Sequence, residues 1–192
     1  MGIIRNILAL IGLLALLTAG YLYFKVTTVM GEFDPDAPKL YQEFMGKLLE
    51  TKDLASAMVW QVPVEEGIEP EDVKESMKSL AVERNFLFVG ESPFYKQAQA
   101  VTGKPFRHVS FMQFCDAQVG IQMANYNNAY TALMPCTISV VEDQQGKLWL
   151  YSLNIDFLIH GARELPPDLK QAALKVRRTI REIMEGAAAG EF

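Results

Sequence analysis

Two cysteines and a scatter of soft donors are the side chains in this chain best suited to chemistry. Cys115 ends one apolar run and Cys136 opens another, with His108, Met112, Met123 and Met134 nearby in sequence. Thiolate, thioether and imidazole donors together suit Cu(I). Strand alternation would place His108 with Met112, and Met134 with Cys136, on common faces. Against this, nine methionines in an apolar chain also serve as flexible core fillers, and the close ligand spacing of a specific metal motif is missing. Outside the cytoplasm Cys115 and Cys136 could form a disulfide if their strands are neighbours; otherwise they are two small buried apolar residues. They are not a Cys-x-x-Cys pair, so thioredoxin-like chemistry is not indicated. Phe111, Phe114, Met134 and Ile138 make their surroundings apolar, which raises a thiol pKa and blunts its reactivity. The expectation is a close, poorly accessible pair without catalysis.

Other catalytic constellations are weaker still. His108 and His160 are the only histidines. Asp156 and His160 stand four apart and would share a helical face like a base and its orienting group, but no nucleophile accompanies them, so a helix-surface pair is expected. Phosphate-cradling glycine loops and zinc-protease motifs are lacking. Glu65, Glu66, Glu69, Glu71 and Asp72 read as a solvated loop and helix start, where the helix dipole favours acids, and they lack the spacing of a calcium loop. The expectation is a non-enzyme with no assigned cofactor, copper being the alternative.

An uncharged run from Ile7 to Phe24 fixes the location. Eighteen residues at about 1.5 Å each span roughly 27 Å, close to the hydrocarbon thickness of a bilayer. Ile7, Leu10, Leu14, Leu17, Tyr21 and Phe24 are the expected lipid-facing residues. Arg5 and Leu17-Thr18-Ala19 loosely resemble a cleavable signal, but Leu17 is a poor cleavage residue and the run exceeds an ordinary signal core. Tyr21, Tyr23 and Lys25 close it as interfacial anchors do. An uncleaved single-pass anchor is therefore expected. Gly12, Ala15 and Ala19 form a sparse stripe of small residues. Lysine and arginine counts near the span do not decide orientation; the short basic N-terminal tail favours a bacterial inner-membrane protein with its domain in the periplasm.

Beyond Phe24 lie all 23 acidic and 17 of the 18 basic residues, a formal charge of −6. An acidic domain without a basic cluster is a poor nucleic-acid binder; Lys170, Lys175, Arg177, Arg178 and Arg181 alternate with acids and read as a solvated helix face. The 168 residues suffice for one domain. The order expected is an anchor over 1–25, a linker and amphipathic helix over 26–55, a domain over 56–186 and a disordered tail over 187–192. Asp34 or Asp36 would cap the amphipathic helix, whose apolar face packs on the domain or lies along the membrane. Strands are expected at 58–62, 86–89, 107–114, 130–142 and 148–153, the last two as a hairpin through Gln144-Gln145-Gly146. Helices are expected at 70–84, 93–103, 116–126 and 156–162, and from Pro167 to a stop at Gly186. The strand, helix and strand over 58–89 suggest a βαβ-like unit, hence a mixed sheet. The fold class is α+β, a two-layer domain with about five strands covered by helices and preceded by one transmembrane helix.

From about Trp60 to Met184 the chain resembles the domain-of-unknown-function 302 family. The resemblance rests on Phe114-Cys115-Asp116-Ala117, where the family has a Cys-Asn-Pro-like turn. It rests also on Leu133-Met134-Pro135-Cys136-Thr137, like a Leu-Pro-Cys-Arg strand start, and on Val141-Glu142-Asp143-Gln144-Gln145-Gly146-Lys147, like a Tyr-Glu-Asp-x-x-Gly hairpin. Asp116-Ala117 replaces Asn-Pro and Thr137 replaces the Arg, so any role of that Arg is absent. The resemblance implies an α/β two-layer fold and dimerisation, and it brings no activity; the expected partners are the lipid bilayer and a second copy or a membrane protein. A membrane-tethered, non-catalytic binding or assembly module is the expected function; a copper or thiol redox protein built on Cys115 and Cys136 is the alternative.

Overall fold

A computed structural model describes residues 2–192. Helix α1, Gly2–Met30, carries the apolar run and has no buried residue. Among the described residues it is the one helix long and apolar enough to cross a membrane, and its membrane residues are all exposed. The remaining elements are α2 (Ala37–Thr51), α3 (Leu54–Met58), β1 (Val59–Pro63), α4 (Pro70–Glu83), β2 (Leu87–Ser92), α5 (Phe94–Thr102), β3 (Val109–Cys115), α6 (Ala117–Tyr126), a 3-10 turn (Asn128–Leu133), β4 (Cys136–Glu142), β5 (Leu148–Leu153), α7 (Asp156–His160) and α8 (Pro167–Ala188).

The strands form one sheet in the order β1-β5-β4-β3-β2. Where a mixed sheet was expected, every hydrogen-bonded pair is antiparallel. The α4 crossover leaves β1 and β2 running the same way, but as opposite edges rather than as neighbours. Alternation sends Met112, Ile138, Ser152 and Trp60, which lie in one row across four strands, to the covered face. Helices α4 and α8 close that face with Val73, Met77, Leu80, Ile180, Ile183 and Met184. The row Gln61, Tyr151, Ser139, Phe111 faces the other way. A bulge between Phe88 and Gly90 bends the β2 edge.

Three expectations give way. Residues 130–135 are not strand, since the 3-10 turn takes Asn128–Leu133 and the strand opens only at Cys136. Gly186 does not stop α8: the helix runs on to Ala188, and a Cβ at Gly186 would lie 2.8 Å from Leu80 Cδ1, so glycine serves the close approach of α8 to α4. The tail from residue 187 is docked, not disordered. Ala187 and Ala188 are buried, Glu65 N–H donates to Ala188 O, and the Ser76 hydroxyl bonds the Glu191 carbonyl.

Helix α8 buries its apolar stripe because its spacing keeps one face toward the sheet for the whole length. Ile180 is fully buried in the core. Ile180→Ala should cost about 2–5 kcal/mol in a chemical-denaturation experiment on the full chain; a change of a few tenths would mean this face does not hold the layers together.

Candidate functional site

Strand β3 delivers Cys115 to the end of the sheet, and Asp116 turns the chain there. The Asp116 carboxylate accepts from Gln118 and Val119 N–H at 3.1 and 3.2 Å, an N-cap on α6. The 3-10 turn then brings Met134, Pro135 and Cys136 back to the same end. Between them, α7 and α8 lies a cavity of about 400 Å³. Cys115, Met123, Met134, Cys136 and Tyr130 line it, with Thr137, Ser139 and Tyr151 adding polar atoms.

The sulfur wall is compact. A Cβ placed on Gly120 would lie 3.5 Å from Met134 Sδ and 3.6 Å from Cys115 Sγ, so glycine leaves the two sulfurs room on this side. Both thiols are free. Burial pushes the Cys136 thiol up to about 11, with a smaller push from Cys115. Burial and the Asp116 carboxylate push Cys115 up as well. Neutral thiols at physiological pH make an apolar, polarizable wall, not a nucleophile. The other two members of the sequence-derived soft-donor set stand elsewhere. Met112 is fully buried in the core and does not line the cavity. His108 stacks on Tyr95 at 4.7 Å and shares a hydrogen bond of 3.0 Å with Ser110 Oγ. Burial, then the charge of Lys74, holds its pKa down.

A second cluster was invisible in the sequence. Asp34, in the stretch after α1, is buried, and His160 Nδ1 lies 2.9 Å from its Oδ1 while Lys170 Nζ lies 2.7 Å from its Oδ2. Asp36 N–H donates to it at 3.0 Å, so its side chain braces the turn instead of capping α2, and Asp36 makes no cap bond either. Asp34 N–H donates to Ala162 O, Phe33 bridges Arg163, and the Tyr41 hydroxyl donates to Gly161 O at 2.5 Å. Asp34, Asp36 and His160 place ligand-type atoms within 4.8 Å of one another. The Lys170 ammonium already occupies one carboxylate oxygen, so the cluster is an ion-paired latch. Asp156, expected to pair with His160, instead pairs with Arg177.

The α8 basic run is likewise structural: Lys170 holds Asp34, Lys175 lies 3.8 Å from Asp116, and Arg177 and Arg181 sit over the Trp60 indole at 6.0 and 5.2 Å. The hairpin motif is structural too. Asp143 accepts from Gln145 and Lys147 N–H and from the Trp149 indole, each at 2.9 Å, and Gly146 takes a φ of +80°.

With the fold and cavity described, comparison with known proteins becomes informative. Residues 60–187 match the family described as domain of unknown function DUF302, and the chain belongs to that family. An uncharacterized protein of Aquifex aeolicus is 27% identical over 126 residues, covering 65% of this chain and 81% of that protein. The crystal structure of an uncharacterized conserved DUF302 protein from Bacillus stearothermophilus superposes with a TM-score of 0.55 at 15% identity, covering 67% of this chain and 96% of that one. The latter likeness concerns the fold.

Burial alone would raise the Asp34 carboxyl, but Lys170, the Asp36 N–H and His160 outweigh it and hold the pKa below the ordinary 3.8. Asp34 and then Glu164 raise the Lys170 pKa above 10.5. A depressed carboxyl contributes stability above its unfolded value and loses it as pH falls through the folded one; a raised ammonium contributes below its unfolded value and loses it as pH rises. Protection of the Phe33, Asp34, Asp36 and Ala37 amides, taken as exchange relative to the intrinsic rate at each pH, should thus be high between about pH 4 and 10 and fall outside that window. Asp34→Asn should lower the local opening free energy by about 1–3 kcal/mol and flatten the acid limb. At the cavity, native maleimide labelling of Cys136 at pH 8 should run at least about a hundredfold slower than in urea, as its raised pKa and burial require.

Proposed function

We propose that this DUF302 domain is a membrane-held, non-catalytic binding module whose cavity takes a small, uncharged, largely apolar molecule bearing one or two hydrogen-bonding groups. One observation carries the reading: two stretches that carry the family resemblance, Cys115-Asp116 and Met134-Pro135-Cys136, converge on a single cavity of about 400 Å³. Its lining supports this ligand class, since Val119, Met123, Leu133, Ile155 and Leu158 supply apolar surface and Tyr130, Ser139 and Tyr151 supply orienting groups. Raised thiol pKa values argue against an oxidoreductase. The placement we adopt is periplasmic, on a bacterial inner membrane, from the basic Arg5 ahead of the span. A second copy or a membrane partner would meet the β2 edge, where Leu87 and Val89 are exposed.

A second reading rests on the sulfur wall alone. Cys115 and Met134, both near Gly120, with Cys136 beside them, offer two thiols and a thioether to Cu(I) without His108 or Met112.

Native mass spectrometry of the detergent-extracted chain tests both. The expected result is an organic species on the parent protein that is lost in Gly120→Leu, whose side chain fills the sulfur side of the cavity. Its removal should lower thermal stability, by about 2.7 kcal/mol if it is present at a hundred times its Kd. Copper in its place would establish the second reading. The same species on both proteins, or none on either, would remove the cavity from the account.

A further inference from the structure

Helix α2 has two apolar flanks, and the fold uses only one. Ala37 and Leu40 are buried, and Phe44 meets Phe157 of α7 edge-on at 5.4 Å. The adjoining strip remains uncovered: Tyr41 is 43% exposed, Met45 47% and Leu49 70%, with Leu54 continuing it at 57%. At 100° per residue, Tyr41, Met45 and Leu49 form one line beside the buried face, bordered by Gln42, while Lys39, Glu43 and Glu50 take the side away from it.

The latch fixes where this strip lies. With a span ending at Phe24, Lys25–Met30 carries α1 about 9 Å past the hydrocarbon boundary, just through a headgroup layer about 5–8 Å deep. Only Gly31 and Glu32 separate α1 from Phe33, which is bridged to Arg163, and Asp34 is then locked to Lys170 and His160. Two or three extended residues reach about 10 Å at most. The corner between α7 and α8 is therefore held at the bilayer surface, and α2, which packs on α7, is held there with it.

We propose that α2 is an interfacial helix whose Tyr41–Met45–Leu49 strip, continued by Leu54, rests in the lipid headgroup and upper acyl layer, a second membrane contact beside the transmembrane anchor. The apolar side chains enter by about 5–10 Å, as in other amphipathic surface helices. Lys52, exposed at the end of α2, keeps its ammonium at the phosphates. The occupant is lipid because only Gly31 and Glu32 separate the anchor from the latched corner on which α2 packs, which leaves too little chain to carry the strip away from the bilayer.

The test uses the full chain reconstituted in phosphatidylethanolamine–phosphatidylglycerol vesicles whose acyl chains carry bromine near the glycerol. Leu49→Trp and Glu43→Trp are compared after subtracting the emission of parent protein, which holds Trp60 and Trp149. Both sites are exposed, so neither change disturbs the core. The added signal of Leu49→Trp should fall about twofold in brominated vesicles, and that of Glu43→Trp should not. Equal quenching at both sites, or none at either, would overturn the assignment. Shielding of Leu49→Trp from aqueous acrylamide without bromine quenching would also overturn it, in favour of a second copy of the chain on this strip.

Discussion

Everything distinctive about this domain hangs on the packing of α8 across the sheet. Its apolar face supplies Ile180, Ile183 and Met184 to the core, but each turn also does a second task. The first turn presents Lys170 to Asp34. The next ones wall the cavity with Ala173 and Val176 and lay Arg177 and Arg181 over Trp60. The last presses Gly186 against Leu80 and secures the C-terminal residues under α4. Loosening this one helix would release the cavity, the latch and the layer interface together. Exposed ion pairs such as Lys39–Glu43 contribute little by comparison.

The cavity and the latch are two sides of the same short helix. Ile155 and Leu158 face the cavity, whereas Phe157 receives Phe44 and His160 receives Asp34. Residues over 154–160 thus separate the cavity from the latched corner by the thickness of one helix. An apolar ligand in such a place would have the bilayer as its nearest reservoir, which agrees with a lining whose one charged side chain, Asp116, is already bonded to the Gln118 and Val119 N–H groups.

Much of the fold was legible because its signals are local. The apolar run of α1, the Pro70 start of α4, the Gly103 stop of α5 and the turn at Gly146 each depend on residues within a few positions. Strand order was not legible: a strand, helix and strand suggested neighbouring parallel strands, and only the tertiary arrangement separates β1 and β2 to opposite edges. The misread over 130–135 has the same origin, since Tyr130, Leu133 and Met134 look β-like one by one, while Asn127, whose side chain accepts from Ala129 N–H, starts a 3-10 turn. The sequence-derived donor set was split because alternation groups residues by face but says nothing of position along the sheet: His108 stands just ahead of β3 and Cys115 ends it. The Asp34 latch joins residues more than a hundred positions apart, and Asp34-Pro35-Asp36 carries no mark that sets it apart from an ordinary helix cap.

A latched anchor differs mechanically from a tethered one. A transmembrane helix meets a thicker or thinner bilayer by changing its tilt, at a modest energetic cost. With a floppy linker that rotation would be lost within a few bonds. Here the helix passes through Phe33 and Asp34 directly into the frame of α7 and α8, so a change of tilt in a bilayer-spanning α1 would be carried into the domain as a lever carries it, instead of being lost in the connection.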